Sequence, residues 1–285
     1  MRFEKWTALG NDYVIVEAAA LPWELTPERI KRICNRPFGV GSDGILLLIP
    51  VEDPDYVAEL RIFNADGSEA ELSGNGARQA ALYLRHRGWT GDDEFTIITK
   101  AGEIKPKIAT DRDCTLELGR ARTSSPDFPS GGPDGRGELQ AGGRNWRFQH
   151  VSIGNPQCAI KVTLKELEGL DLSVLGPAIE HHELFPNRTN VSFFDVRGAL
   201  VRARIFERGV GETLSSGTGA SGAAVAAFLG GSESPMSVEL NGGQLQVEVS
   251  DDLDVRLTGW AEAVYAGEFS ERFTRLLGEV RSSAP

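Results

Sequence analysis

Two short stretches concentrate the polar chemistry of this chain. Ser73-Gly74-Asn75-Gly76 and Ser216-Gly217-Thr218-Gly219 each place a hydroxyl and a run of small residues before an alanine-rich segment. A serine in that position is a helix N-cap. Glycine leaves the first backbone N–H groups uncovered, and the positive end of the helix dipole gathers at the same place. Such a mouth takes an anion. A small carboxylate suits it better than a nucleotide phosphate, because the chain carries no G-x-x-x-x-G-K-[ST] loop. Glu207-Arg208, just upstream of the second mouth, adds a guanidinium able to hold a carboxylate bidentately. Glycine-mediated packing of a buried helix explains one copy alone equally well. Polar residues repeated at both mouths favour binding.

The repetition is long. Arg61–Leu84 and Arg204 onward align without a gap at an offset of 143, with ten of 24 positions identical, among them Arg-Ile-Phe, Glu69, Ser73, Gly74 and Gly76. Gly10-Asn11 and Gly154-Asn155 repeat at nearly the same offset. Internal duplication sets the architecture before any residue is interpreted. The sequence predicts an α/β (α+β) fold of two pseudo-symmetric domains, residues 1–118 plus 264–285 and residues 119–263. Each has a buried small-residue helix at its centre. If the halves face one another, the two mouths grip one carboxylate from two sides.

The supporting elements follow in order. Residues 3–16 read as two strands around Gly10-Asn11-Asp12. Thr26-Pro27-Glu28 starts a helix that reaches about Asn35. Residues 45–49 and 57–63 read as strands, and Asn64-Ala65-Asp66-Gly67 as a turn. Residues 95–99 and 104–109 form an expected strand pair turning at Ala101-Gly102. The run 123–144, rich in Ser, Pro and Gly, reads as a loose excursion at a domain junction, with order returning at Trp146. Strands are expected at 158–160, 190–196, 201–206, 237–240, 245–249 and 253–257, and helix within 164–182. An amphipathic helix over 271–280 is expected to pack back on the first half.

Composition excludes several classes. A net charge of −11 without a basic run disfavours nucleic acid. No apolar run approaches the roughly 18–20 residues of a membrane span. Three scattered cysteines, Cys34, Cys114 and Cys158, argue against a disulfide framework and fit a cytoplasmic location. His86, His150, His181 and His182 are not spaced as a metal site. Ser216 lacks the G-x-S-x-G elbow and an evident histidine partner for acyl transfer.

Taken together, several motifs resemble the diaminopimelate epimerase family of cofactor-independent amino-acid epimerases, over nearly the whole chain. They are Gly10-Asn11-Asp12, Gly39-Val40-Gly41-Ser42-Asp43-Gly44, Asn64-Ala65-Asp66-Gly67-Ser68, Gly74-Asn75-Gly76-Ala77-Arg78, Gly154-Asn155-Pro156, Glu207-Arg208-Gly209-Val210-Gly211-Glu212-Thr213 and Gly217-Thr218-Gly219-Ala220. The resemblance implies two mixed-sheet or barrel domains, each wrapped around a central helix. It implies inversion of one α-carbon of LL-2,6-diaminopimelate to the meso form, on the route to lysine and peptidoglycan precursors. It implies no pyridoxal phosphate or other cofactor, no metal, and a homodimer. Two cysteines, one at each helix mouth, exchange the proton. Asn11, Asn64, Asn155, Asn190, Glu207 and Arg208 fall at substrate contacts. The N–H groups of Gly74, Asn75, Gly217 and Thr218 fall at the α-carboxylate.

Ser73 and Ser216 stand where the resemblance places those cysteines. A thiol titrates near 8.5 and is lowered further at a helix N-terminus, whereas an alkanol is a far weaker acid. The chain reads as a double Cys→Ser variant, as a natural branch in which serines work with help from Glu207, or as a relative that binds a diamino acid or similar carboxylate without epimerising it. Gln79 and Gln157 also depart from the family's usual cysteine and histidine, which favours a natural branch.

Overall fold

The computed structural model describes residues 1–280; the last five residues of the expected first domain, 281–285, lie outside the described residues. The chain divides into two compact units, Met1–Leu116 with the chain from Gly259 onward, and Glu117–Thr258.

The first unit starts with β1 (Arg2–Ala8) and β2 (Asn11–Glu17), then α1 (Pro27–Cys34), β3 (Gly44–Ile49), β4 (Ala58–Asn64) and the short β5 (Glu69–Ala70). Helix α2 (Gly74–His86) follows, then β6 (Ile97–Thr99), β7 (Gly102–Ile104) and β8 (Lys107–Ile108); β9 (Asp113–Arg120) begins in the first unit and ends in the second. Thr26 caps α1 through its side chain, and Pro27 sits in the first turn, where a missing N–H costs nothing. The second unit carries β10 (Arg136–Ala141), β11 (Arg144–Ser152), β12 (Pro156–Lys161), α3 (Leu164–Gly169), α4 (Leu172–Glu180), β13 (Asn190–Arg197), β14 (Leu200–Glu207) and β15 (Gly211–Thr213). Helix α5 (Gly217–Leu229) and strands β16 (Met236–Leu240), β17 (Gly243–Val249) and β18 (Asp254–Trp260) complete it. The chain returns to the first unit with β19 (Glu262–Glu268) and α6 (Glu271–Glu279).

The duplication is legible strand by strand. The first sheet runs β19-β1-β2-β3-β4-β6-β7, with β5 on β4; the second contains β10-β11-β12-β13-β14-β16-β17-β18, with β15 on β14. β2 pairs parallel with β3 and β12 with β13, while β4 pairs parallel with β6 and β14 with β16. Even the register repeats. Ile62 faces Ala70 and Phe63 faces Glu69, as Ile205 faces Thr213 and Phe206 faces Glu212. Across those hairpins Arg61 grips Glu69 and Arg204 grips Glu212 through two parallel N–H···O bonds each, the nearer at 2.8 Å in both.

Each sheet wraps its own small-residue helix. Ten of the 13 residues of α2 and nine of the 13 of α5 are buried, so alanine and glycine are what the space admits. Leu277 of α6 enters the core of the first unit with Phe3, Ile30 and Phe269, and Arg29 donates to its carbonyl at 2.8 Å. The tail helix therefore packs where the sequence predicts.

Two expectations need correction. Residues 123–144 are not a loose excursion throughout. Strand β10 lies within them and pairs with β11, and Phe128 is 5% exposed, stacked edge-on against Phe148. One large ring and an alternating strand offset the poor composition of the run. The expected strand over 104–109 is split, with β7 turning onto β6 and β8 pairing with β9. Strands β9 and β19 add to the expected elements; Cys114, Leu116 and Leu118 alternate with polar residues along β9, whereas β19 is exposed at six of its seven residues and pairs with β1.

Candidate active site

The two serines are built alike. Ser73 and Ser216 both adopt extended backbone and cap their helices, Ser73 Oγ accepting from Gly76 N–H at 3.1 Å and Ser216 Oγ from Gly219 N–H at 3.2 Å. Space is tight at the third helical position, where both helices carry glycine. A Cβ on Gly76 would meet Leu46 at 3.0 Å and one on Gly219 would meet Ile205 at 2.6 Å. Both oxygens thus sit at the positive ends of 13-residue helices, where a developing negative charge is stabilised.

What surrounds each serine differs. In the first unit the Tyr13 hydroxyl donates to Ser73 Oγ at 3.3 Å. Tyr13 lies opposite Gly44, and Gly44 opposite Asn64, so β2, β3 and β4 present three neighbouring positions in line. The Tyr13 ring occupies the space beside Gly44; a Cβ there would lie 2.6 Å from the ring and 2.2 Å from the Phe63 carbonyl oxygen. Gly44→Ala is expected to cost about 1–3 kcal/mol by overpacking, read as a lower urea midpoint, and to push the Tyr13 ring off Ser73. Gln79, fully buried on α2, donates to the Asn11 carbonyl at 3.0 Å, and Asn11 Nδ2 donates to Asp43 at 3.0 Å. Asp12 binds Lys5 at 2.7 Å and Arg36 at 2.9 Å. Burial pushes its carboxyl up, but the hydrogen bonds from Arg36 and Lys5 hold it below the usual range. Asn64 Nδ2 donates to Ser68 at 2.9 Å, and Asp66 is a turn acid held down by Ser68.

Arg78 is the feature the sequence concealed. It is fully buried, one turn into α2, and its Nη2 donates to Asn75 Oδ1. Its Nε and Nη1 find no partner among the described residues, and Nη1 lies 3.8 Å from where a Cβ on Gly74 would sit. Burial pulls this guanidinium down to about 10.

In the second unit a carboxyl takes the place of the phenol. Burial pushes Glu207 up, and the neighbouring Thr213 and Ser216 hydroxyls draw it part of the way back. Asn155 Nδ2 donates to Thr218 Oγ1 at 3.2 Å, and the buried Gln157 donates to Asn155 Oδ1. Gly222 leaves room for Gln157, since a Cβ there would meet its side chain at 2.8 Å. Asn190 donates to the Pro156 carbonyl at 3.2 Å and accepts from Arg208 N–H at 2.7 Å. Glu207 and Arg208 do not act as a pair. Glu207 turns inward beside Ser216, while the exposed Arg208 holds the Asn187 carbonyl at 2.9 Å.

The first unit thus brings together Asn11, Asn64, Ser73, Gly74 and Asn75, and the second Asn155, Asn190, Glu207, Ser216, Gly217 and Thr218. Arg78 and Gly44 belong to motifs that carry the resemblance, but their place beside the serines, and that of Tyr13, appears only in the fold. None of the three cysteines supplies the missing thiols. All are buried, and desolvation pushes Cys34 up to about 11, Cys114 up to about 12 and Cys158 well above its ordinary value. Among the described residues no helix is long and apolar enough to cross a membrane.

The diaminopimelate epimerase family model matches residues 3–124 and 149–264. The chain is 42% identical to the diaminopimelate epimerase of Synechococcus sp. (strain JA-3-3Ab), over 95% of this chain and 99% of that one. It is 39% identical to the diaminopimelate epimerase of Moorella thermoacetica, over 94% and 99% respectively. Among solved structures, the fold is shared with a phenazine biosynthesis protein of Bacillus anthracis (TM-score 0.65, 20% identity, 95% and 99% covered). It is also shared with a hydroxyproline epimerase of Agrobacterium vitis (TM-score 0.64, 16% identity, 94% and 91% covered). At 42% identity over almost its full length, and with both halves matched by the family model, the chain belongs to the diaminopimelate epimerase family.

Proposed function

We propose that this chain interconverts LL- and meso-2,6-diaminopimelate by inverting one α-carbon, with Ser73 and Ser216 at the two proton-transfer positions and the helix mouths holding the α-carboxylate. The observation that carries this reading is the pair of serine-capped, glycine-opened helices on a repeated scaffold. A carboxylate between backbone N–H groups makes the α-proton more acidic by stabilising the charge that develops as it leaves. Asn11, Asn64, Asn155, Asn190, Glu207 and Arg208 supply the remaining polar contacts to a substrate with two carboxylates and two ammonium groups. Glu207, already beside Ser216, accepts the proton that a serine oxygen cannot keep. The reaction serves lysine biosynthesis, and the same reading takes the chain as a homodimer, which sedimentation would check.

Deuterium exchange tests the reading. LL-diaminopimelate incubated with the protein in deuterated water should gain one α-deuterium as the meso form appears. Tight binding with no exchange would support the second reading, a carboxylate-binding relative, which the two serines favour.

Arg78 gives an independent check on the carboxylate subsite. Arg78→Met removes a buried charge that has no carboxylate partner. It is expected to raise the stability of the unliganded protein by about 1–4 kcal/mol in urea unfolding. The same change should weaken diaminopimelate binding by calorimetry. Loss of stability together with unchanged binding would remove Arg78 from the subsite.

A further inference from the structure

Ser73 Oγ accepts two hydrogen bonds, from the Gly76 N–H at 3.1 Å and from the Tyr13 O–H at 3.3 Å. A hydroxyl oxygen has two lone pairs, so both are engaged and the serine's own hydrogen is turned elsewhere. Tyr13 is 5% exposed, and its ring is seated against Gly44. The place and direction of its hydroxyl are therefore fixed by packing. The position matching Tyr13 in the second unit is Gln157, which cannot titrate; there the ionisable neighbour of the serine is Glu207, and the residue matching Glu207 in the first unit is Asn64. Each serine thus has one titratable partner, a phenol in one unit and a carboxyl in the other.

We propose that Tyr13 is a positioning residue that relays the proton of Ser73, so that the charge left by proton transfer rests on a phenolate and never on a serine alkoxide. This rests on the epimerase reading above. In the donating direction the Ser73 O–H bond breaks and a C–H bond forms at the carbanionic α-carbon. In the same step the Tyr13 O–H bond breaks and its proton passes to Ser73 Oγ. The serine ends as it began, and Tyr13 holds the negative charge. In the removing direction each transfer reverses: tyrosinate takes the Ser73 proton as Ser73 Oγ takes the α-proton, and the C–H electron pair stays on the α-carbon. A phenol titrates near 10, within reach of the thiol range and far below an alkanol.

The test is a cycle of variants read by solvent-deuterium incorporation and by epimerisation kinetics. Tyr13→Phe keeps the ring and removes the hydroxyl. In the Ser73 protein it should lower kcat about 100-fold, with KM changed by less than about threefold. A thiol needs no relay, so in the Ser73→Cys protein the same change should cost at least about tenfold less. Equal losses in both backgrounds would mean that Tyr13 is merely structural and would overturn the relay. Should Tyr13→Phe unfold, a fluorinated tyrosine of lower phenol pKa at position 13 gives the second readout. The basic limb of the kcat profile should move down with the phenol, and an unmoved limb overturns the proposal. The two failures are separable. A wild-type protein that exchanges no α-proton sinks the epimerase reading and the relay with it. A wild-type protein that exchanges as fast as Tyr13→Phe sinks the relay alone.

Discussion

Replacing both serines by cysteine, Ser73→Cys with Ser216→Cys, is expected to speed α-proton exchange on diaminopimelate by about 10²- to 10⁴-fold, the usual scale of a well-matched general acid–base group. The scaffold around both positions is already suited to a thiolate. Each oxygen caps a 13-residue helix and accepts a backbone N–H there, the setting that lowers a thiol toward neutrality. Sulfur is larger than oxygen, but Ser73 and its neighbour Gly74 are only partly covered, so the added volume has somewhere to go. Substrate affinity should change little, because the proposed carboxylate subsite consists of N–H groups and Arg78, not of the serine oxygens. An unchanged exchange rate in the double variant would show that the proton does not pass through positions 73 and 216 at all.

Glu207→Gln is expected to move activity and stability in opposite directions. The carboxyl beside Ser216 is raised above 4.5 chiefly by burial, with the Thr213 and Ser216 hydroxyls opposing. Its ionised form is therefore less welcome in the folded chain than in the unfolded one. The sign follows by linkage: the stability cost is absent well below 4.5 and grows as pH rises from there through the folded value. Glutamine cannot ionise, so the variant should be more resistant to urea than the wild type at pH 7 and no more resistant at pH 4. It also removes the group proposed to take the Ser216 proton, so exchange should fall by about 100-fold or more. A variant that is less stable at pH 7, or as active as the wild type, would remove Glu207 from the proton path.

Much of the scaffold was legible in the chain itself. The 143-residue offset between the two Arg-Ile-Phe motifs carries over into strand register, because a gapless repeat of β-residues must reproduce both the alternation of faces and the hairpin pairings. The helix openings were equally readable, since Ser-Gly-x-Gly before an alanine run is a local signal that needs no distant partner. Asn11, Asn64, Asn155 and Asn190 came from motifs; in the structure Gln79 ties Asn11 to α2 and Thr218 ties Asn155 to α5, while Asn64 bonds Ser68 and Asn190 bonds the Pro156 carbonyl.

What the sequence hid lies at long range. Strand β10 was masked by a Ser-Pro-Gly composition and exists because β11 pairs with it and Phe128 packs on Phe148. β19, exposed on almost every residue, is a strand because β1 offers it an edge. The chemistry around the serines is of the same kind. Tyr13 reaches Ser73 across 60 residues of chain, and only because Gly44, on a third strand, leaves room for the ring. Arg78 looks like any solvent-seeking arginine until α2 is wrapped on all sides by its sheet. The sequence by itself determined two duplicated halves with a serine-capped, glycine-opened helix mouth in each. Tertiary packing decided which ionisable group stands behind each serine, because burial and distance, not residue type, set where a proton can rest.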